Sequence, residues 1–343
     1  HPEQREETGR RSAPSKPPEE GSRKGAKMLT NRKIVIIGAG HVGTHCAVAL
    51  GFQNICDEIV FIDKDKTKAK SQAMDLADSV CFLPSAVNIR VGDYNDCSDA
   101  DIIVIAAGVP RLPGQTRLDT LGASVVCVKD VVENLRKIDI KGVVITITNP
   151  ADIIADYVRK GLELPKNRVF STGTSLDTAR TRRTVADLCK VDPHSVVAFA
   201  MGEHGDSSMV PFSHMNICGV PYKKFVETYK ERCADFAEDK VTEDTHMRGM
   251  DIINGKGSTE FGIGAALADM AKAVLTDEHR ILPASALLEG EYGQKDVHAG
   301  VPCIIGRNGI EEVIELDLTK QELELFGKSC DIIREHIKMA ERI

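Results

Sequence analysis

Tryptophan is absent from this chain, and aromatic residues fill only 4% of its 343 positions. That scarcity argues against sugar-stacking platforms, which need flat aromatic faces. No apolar run reaches the roughly 18 residues of a membrane span. Ten cysteines are scattered singly, with no Cys-x-x-Cys pair, so no structural zinc site and no metal are expected. A thiol-rich chain without a disulfide framework reads as reduced and cytoplasmic. Positive charge is not in excess either. The net charge is −7 and the pI about 5.9, which argues against a nucleic-acid coat or an anionic-membrane partner while leaving room for a locally basic pocket.

Residues 1–27 have almost no apolar side chains beyond Ala13 and Ala26, so they bury nothing and read as a disordered leader, tag or extension. Glu3, Glu6, Glu7, Glu19 and Glu20 do not suit an acid-poor transit peptide. Met28 suits a native start, because a strand begins five residues later.

The full chain is 42% hydrophobic, enough for one large or two medium cores. Short β-branched runs at 33–37, 58–62, 87–91, 101–106 and 143–147 alternate with helical stretches at 41–53, up to about 80, and 117–137. Strands alternating with helices imply right-handed crossovers and a parallel sheet covered on both faces. The expectation is an α/β chain: a doubly wound (Rossmann) domain over 28–170 and an α+β substrate domain over 171–343. In the second half, 174–190, 223–253, 259–275 and 319–343 read as helices. A strand is expected at 195–200, and hairpin-like alternation at 280–291 and 301–316.

Gly38-Ala39-Gly40-His41-Val42-Gly43 follows the first strand and opens a helix. The first glycine permits the turn, the second lets backbone approach a pyrophosphate, and the third lets helix pack on strand. Asp63 ends the next strand, 20 residues after Gly43. A carboxylate there accepts hydrogen bonds from a ribose diol and repels a 2′-phosphate, which favours NAD over NADP. The bland reading of Asp63 is a solvated strand-end acid.

His204 stands in Met201-Gly202-Glu203-His204-Gly205-Asp206, between small neighbours that leave it open to a cleft. An imidazole titrates near neutrality and suits a group that gives and takes a proton. Asp177, in Leu176-Asp177-Thr178-Ala179-Arg180, is a candidate to orient that ring, or else a helix cap. Arg180 lies three residues on, on nearly the same helix face, and its planar fork suits a carboxylate. Arg182 is expected to point elsewhere. Arg117 ends Gly114-Gln115-Thr116-Arg117 beyond a loop with two prolines and two glycines, the composition of a lid; it would polarise a carbonyl and stabilise an alkoxide. Asn149, before Pro150, is a candidate to bond the carbonyl or the cofactor, or else a turn residue. A proton carrier, an anion clamp, a polarising cation and a nucleotide fold together specify hydride transfer on a 2-keto or 2-hydroxy acid.

In identity, order and spacing these motifs, with Thr148-Asn149-Pro150, resemble the L-lactate/L-malate dehydrogenase family from about Arg32 to Ile343, closest to bacterial-type L-lactate dehydrogenases. The resemblance implies reversible hydride transfer between NAD and an L-2-hydroxy acid. It makes His204 the acid–base, Asp177 its partner, Arg180 the carboxylate anchor and Arg117 the mobile polarising arginine, and it packs Ile263 on the nicotinamide. On substrate the markers divide. Arg111, six residues before Arg117, is similar to the malate enzymes, where an arginine pairs with a second carboxylate. Glu203 and Thr259 resemble the lactate type. A desolvated arginine without a partner costs several kcal/mol, unless Pro110 and Pro113 hold Arg111 toward water. The expectation is lactate dehydrogenase, with malate dehydrogenase as the alternative. Arg182 matches an arginine that binds fructose 1,6-bisphosphate in bacterial relatives, but Val197 replaces the histidine, which argues against that activator. The family forms dimers and tetramers, and a tetramer suits the lactate reading. Two other classes fit less well: a metal-dependent NAD glycosidase, which needs a Cys/His cluster that is not apparent here, and a non-enzymatic NAD sensor, which would have lost a catalytic position.

Overall fold

Isoleucine and valine supply almost every residue of the first strands, and both faces of those strands are buried. The computed structural model describes residues 31–109, 115 and 117–343, without the side chains of 117–119. The leader at 1–27, Met28, Arg111 and its flanking prolines lie outside the described residues. In the first half, β1 (Lys33–Ile37) leads through α1 (His41–Phe52) to β2 (Glu58–Ile62), α2 (Lys66–Asp78) and β3 (Asn88–Val91). Then come β4 (Ile102–Ile105), α3 (Arg117–Leu135), β5 (Val143–Thr146), α4 (Ala151–Leu162) and β6 (Val169–Ser171). These strands run parallel in the order β3-β2-β1-β4-β5-β6. Helices cover such a sheet on both faces, so its strands read as continuous apolar runs rather than alternating ones. The strand order reverses beside β1, and ligands of doubly wound sheets sit in the crevice at the carboxyl ends of the strands there.

The second half starts with α5 (Ser175–Cys189) and the short strands β7 (Val196–Val197), β8 (Asn216–Ile217) and β9 (Val220–Pro221). It continues through α6 (Tyr222–Thr228), α7 (Glu238–Lys256), α8 (Phe261–Leu275), β10 (Arg280–Glu289), β11 (Lys295–Gly306), β12 (Gly309–Val313) and α9 (Lys320–Ala340). The antiparallel strands β10 to β12 extend the parallel sheet, joined where Ser285 pairs with Ser171, so the described residues hold one nine-stranded sheet. Asn31–Ile343 form one compact unit. The main core surrounds that sheet, and a smaller one (Val185, Cys189, Val196, Ile217, Tyr222 and Val241 among its members) lies beside β7 to β9.

Several elements differ from the sequence expectation, β6 (Val169–Ser171) among them. The helix expected over 223–253 is two helices, α6 and α7. Between them Cys233 turns into the smaller core at 3% exposure, and the Arg232 guanidinium donates to the Lys190 carbonyl at 2.6 Å. The strand expected at 195–200 shrinks to Val196–Val197. Beyond it the chain turns its amides to helix side chains; Ala200 N–H donates to the Thr178 hydroxyl at 2.9 Å. Helix α4 was not foreseen. It follows Pro150 directly, and the buried Asp152 and Asp156 interrupt its apolar pattern.

Candidate active site

The glycine turn sits where the parallel sheet opens. Gly38 has φ +109°, and a Cβ there would come within 2.7 Å of the Ala106 carbonyl carbon. A Cβ on Gly43 would lie 2.0 Å from the Gly38 carbonyl oxygen, so glycine is required for α1 to seat on the turn. Around Gly40 the space is open, with only the Lys68 Nζ 4.0 Å from a Cβ position. That open cradle at the start of a helix fits a dinucleotide pyrophosphate, with a lysine beside it. Asp63 is more than a solvated strand end. Its Oδ2 accepts Ala39 N–H at 2.7 Å and its Oδ1 accepts Asp65 N–H at 2.9 Å, so it braces the glycine turn from β2.

A cleft of about 340 Å³ runs from this turn into the second half. Gly40, His41 and Val42 line it together with Asn149, Asp177, Arg180, His204, Thr259 and residues of α7. Asn149 is exposed at a cis peptide bond to Pro150. Ile263 is half-buried on α8 against the main core and is not among the lining residues. Arg117 opens α3, and its side chain lies outside the described residues, as does Arg111.

The proton-transfer geometry is explicit. Asp177, in the first turn of α5, accepts from His204 Nδ1 at 2.6 Å. Because a carboxylate can only accept, the Nδ1 carries the hydrogen of this bond. Asp177 is therefore the ring's partner rather than a cap. Arg180 stands one turn on, 11% exposed, its Nη1 3.6 Å from Asp177 Oδ1. The absence of a side chain at Gly249 makes room for it, since a Cβ there would lie 3.2 Å from Nη1. Arg182 does point elsewhere: its Nε donates to the Ala198 carbonyl at 3.2 Å, and burial pulls its pKa down. Val197 is exposed on β7. Glu203 is buried and faces away from the cleft, accepting from Ser207 and lying 3.9 Å from His336 Nδ1 on α9.

Sequence reading missed four residues here. Lys68 had no signal beyond charge. His246, on the α7 face of the cleft, bonds the Ser208 carbonyl through Nε2 at 2.9 Å. Gly249 reads in sequence as an ordinary helix glycine. Asp152, on the unforeseen α4, accepts His204 N–H at 2.8 Å. Among the described residues the one His/carboxylate group with metal-ligand spacing is Asp277, His279 and Glu311, whose members bond one another outside the cleft lining.

A strand–glycine–helix cradle next to an imidazole–carboxylate pair and a recessed guanidinium defines a dinucleotide-dependent dehydrogenase. The profile described as lactate/malate dehydrogenase, NAD binding domain, matches residues 32–171, and that of the family's alpha/beta C-terminal domain matches 174–343. The chain belongs to the lactate/malate dehydrogenase family, and it is an NAD-dependent oxidoreductase. L-lactate dehydrogenase 3 of Bacillus cereus is 44% identical over 307 residues, covering 90% of this chain and 97% of that protein. Two solved structures from Cryptosporidium parvum are similar to it. A lactate dehydrogenase complexed with lactic acid and nicotinamide adenine dinucleotide superposes with a TM-score of 0.86 at 31% identity, covering 92% of this chain and 100% of that one. A malate dehydrogenase superposes with 0.85 at 31% identity, covering 91% and 100%.

Proposed function

We propose that this enzyme is an NAD-dependent L-lactate dehydrogenase, reducing pyruvate to L-lactate reversibly. The observation that carries the chemistry is the His204–Asp177 pair at 2.6 Å with Arg180 one helical turn away in the same cleft. NAD, held at the Gly38–Gly43 turn, would supply the hydride chemistry. Arg180 holds the keto-acid carboxylate, placing the carbonyl against His204. In the reductive direction His204 gives the proton on Nε2 to the carbonyl oxygen, and Asp177 steadies the imidazolium and its tautomer. Arg117 is assigned the polarising role on the motif alone, with Asn149 as a second donor to the carbonyl or the cofactor.

Lactate and malate enzymes share this fold almost equally, as the two TM-scores show, so overall shape does not choose between them. The 44% identity to a bacterial lactate dehydrogenase across nearly its whole length supports pyruvate. Glu203, a lactate-type marker, is buried behind the histidine and selects no substrate by contact. The choice rests on Arg111, which lies outside the described residues. No helix is long and apolar enough to cross a membrane among the described residues; a cytoplasmic homotetramer completes the reading, in line with ten free thiols.

The deciding experiment compares kcat/KM for pyruvate and oxaloacetate with NADH. A preference for pyruvate of roughly tenfold or more, about 1.4 kcal/mol, is expected. A preference for oxaloacetate would assign specificity to Arg111 and make this a malate dehydrogenase.

A further inference from the structure

Three consecutive amides of the histidine loop are each held by a different element. Gly202 N–H donates to the Gly300 carbonyl on β11 at 2.9 Å, and Glu203 N–H to the Ser329 hydroxyl on α9 at 2.8 Å. His204 N–H donates to Asp152 Oδ2 on α4 at 2.8 Å. The first two acceptors are neutral, which is all an amide needs. The third is a carboxylate at 1% exposure whose other oxygen accepts the hydroxyl of fully buried Ser285 at 2.6 Å. A buried carboxylate is an expensive acceptor where a serine suffices next door. Asp152 also lies three residues after Asn149, so one helix start carries a cleft residue and the histidine's support.

We infer that Asp152 is a positioning residue for proton transfer: it fixes the main chain of His204 and places a second negative charge behind the imidazole. The inference rests on His204 being the acid–base. Burial pushes the Asp152 carboxyl up to about 6, while the Ser285 hydroxyl, the His204 amide and the His204 charge pull it back. The same field reaches its neighbours. Asp177 and Arg180 from α5, His246 from α7 and Asp206 from the loop line the cleft with His204. Glu203 of the histidine loop and Cys330 of α9 also interact electrostatically with Asp152.

Asp152→Asn removes the charge and keeps the shape, since the amide oxygen still accepts from His204 N–H and the Ser285 hydroxyl can turn to accept. Keto-acid reduction needs protonated His204. Losing a nearby negative charge makes the imidazole shed its proton at lower pH, so the basic limb of the kcat/KM profile moves down by roughly half to one pH unit. NADH affinity and Tm stay near wild type. Asp152→Ala, which also strands the amide, loses on the order of tenfold to a hundredfold in kcat. An Asp152→Asn enzyme with the wild-type pH profile and kcat, or one altered only in Tm, overturns the inference. NMR titration of histidine-labelled protein, assigned with His204→Asn, reads the ring without substrate. A wild-type protein that turns over no keto acid defeats the functional reading and this inference with it. An unmoved titration in an active enzyme defeats this inference alone.

Discussion

Arg180→Leu is the sharpest test of how substrate is held. The guanidinium is 11% exposed, lies 3.6 Å from Asp177 and has a slot kept clear by Gly249. In that recess a keto-acid carboxylate would form two parallel charge-assisted bonds. Each such bond contributes about 1.5–3 kcal/mol, and removing one partner of a buried ion pair costs about 3–5 kcal/mol because the remaining charge is stranded. At about 1.4 kcal/mol per decade, kcat/KM for pyruvate should fall by roughly a hundredfold to a few thousandfold. Most of that loss belongs in KM, because the anchor binds substrate and transition state alike. Arg180→Lys keeps the charge without the fork and should fall between wild type and leucine. Steady-state NADH oxidation over a wide pyruvate range measures KM and kcat, and NADH fluorescence checks that cofactor binding is intact. A KM for Arg180→Leu within about threefold of wild type would show that another cation holds the carboxylate and that the cleft geometry was misread.

Two further outcomes follow from the same structure. Asp63→Ser should lower the preference for NAD over NADP by roughly tenfold to a hundredfold, as a carboxylate that repels the 2′-phosphate is lost, and it should lower Tm because two backbone amides lose their acceptor; an unchanged cofactor ratio would mean the ribose is read elsewhere. Arg90, with the Asp93 amide and Lys33, holds the Asp96 carboxyl down at about 2 against the cost of burial. A depressed folded value gives stability that is full above the unfolded carboxylate range and lost as pH falls toward 2. Arg90→Ala should therefore be less stable than wild type at neutral pH by about 1–2 kcal/mol, with the gap closing between about pH 4 and 2; a gap independent of pH in chemical denaturation would refute the pairing.

Much of this site was legible because its parts are local. The strand–glycine–helix pattern, the carboxylate ending β2 and the three-residue spacing of Asp177 and Arg180 are set by neighbours in sequence, and short-range geometry decides what they can do. Buried parallel strands announce themselves for the same reason: isoleucine and valine fill both faces. What could not be read were pairings between distant residues. Asp177 as cap or as partner is undecidable until α5 and the histidine loop meet. Asp152 is separated from His204 by 52 positions and hidden in a helix whose buried acids mimic surface ones. Gly249 shows its purpose only when Arg180 lies over it, and the merging of β10 with β6 rests on Ser285 meeting Ser171. Sequence alone determined the cofactor and the class of chemistry, because local backbone geometry and residue type suffice for those. Only the tertiary structure decided which carboxylates stand behind the histidine and where the arginine rests, because burial and ångström-scale distances are properties of packing.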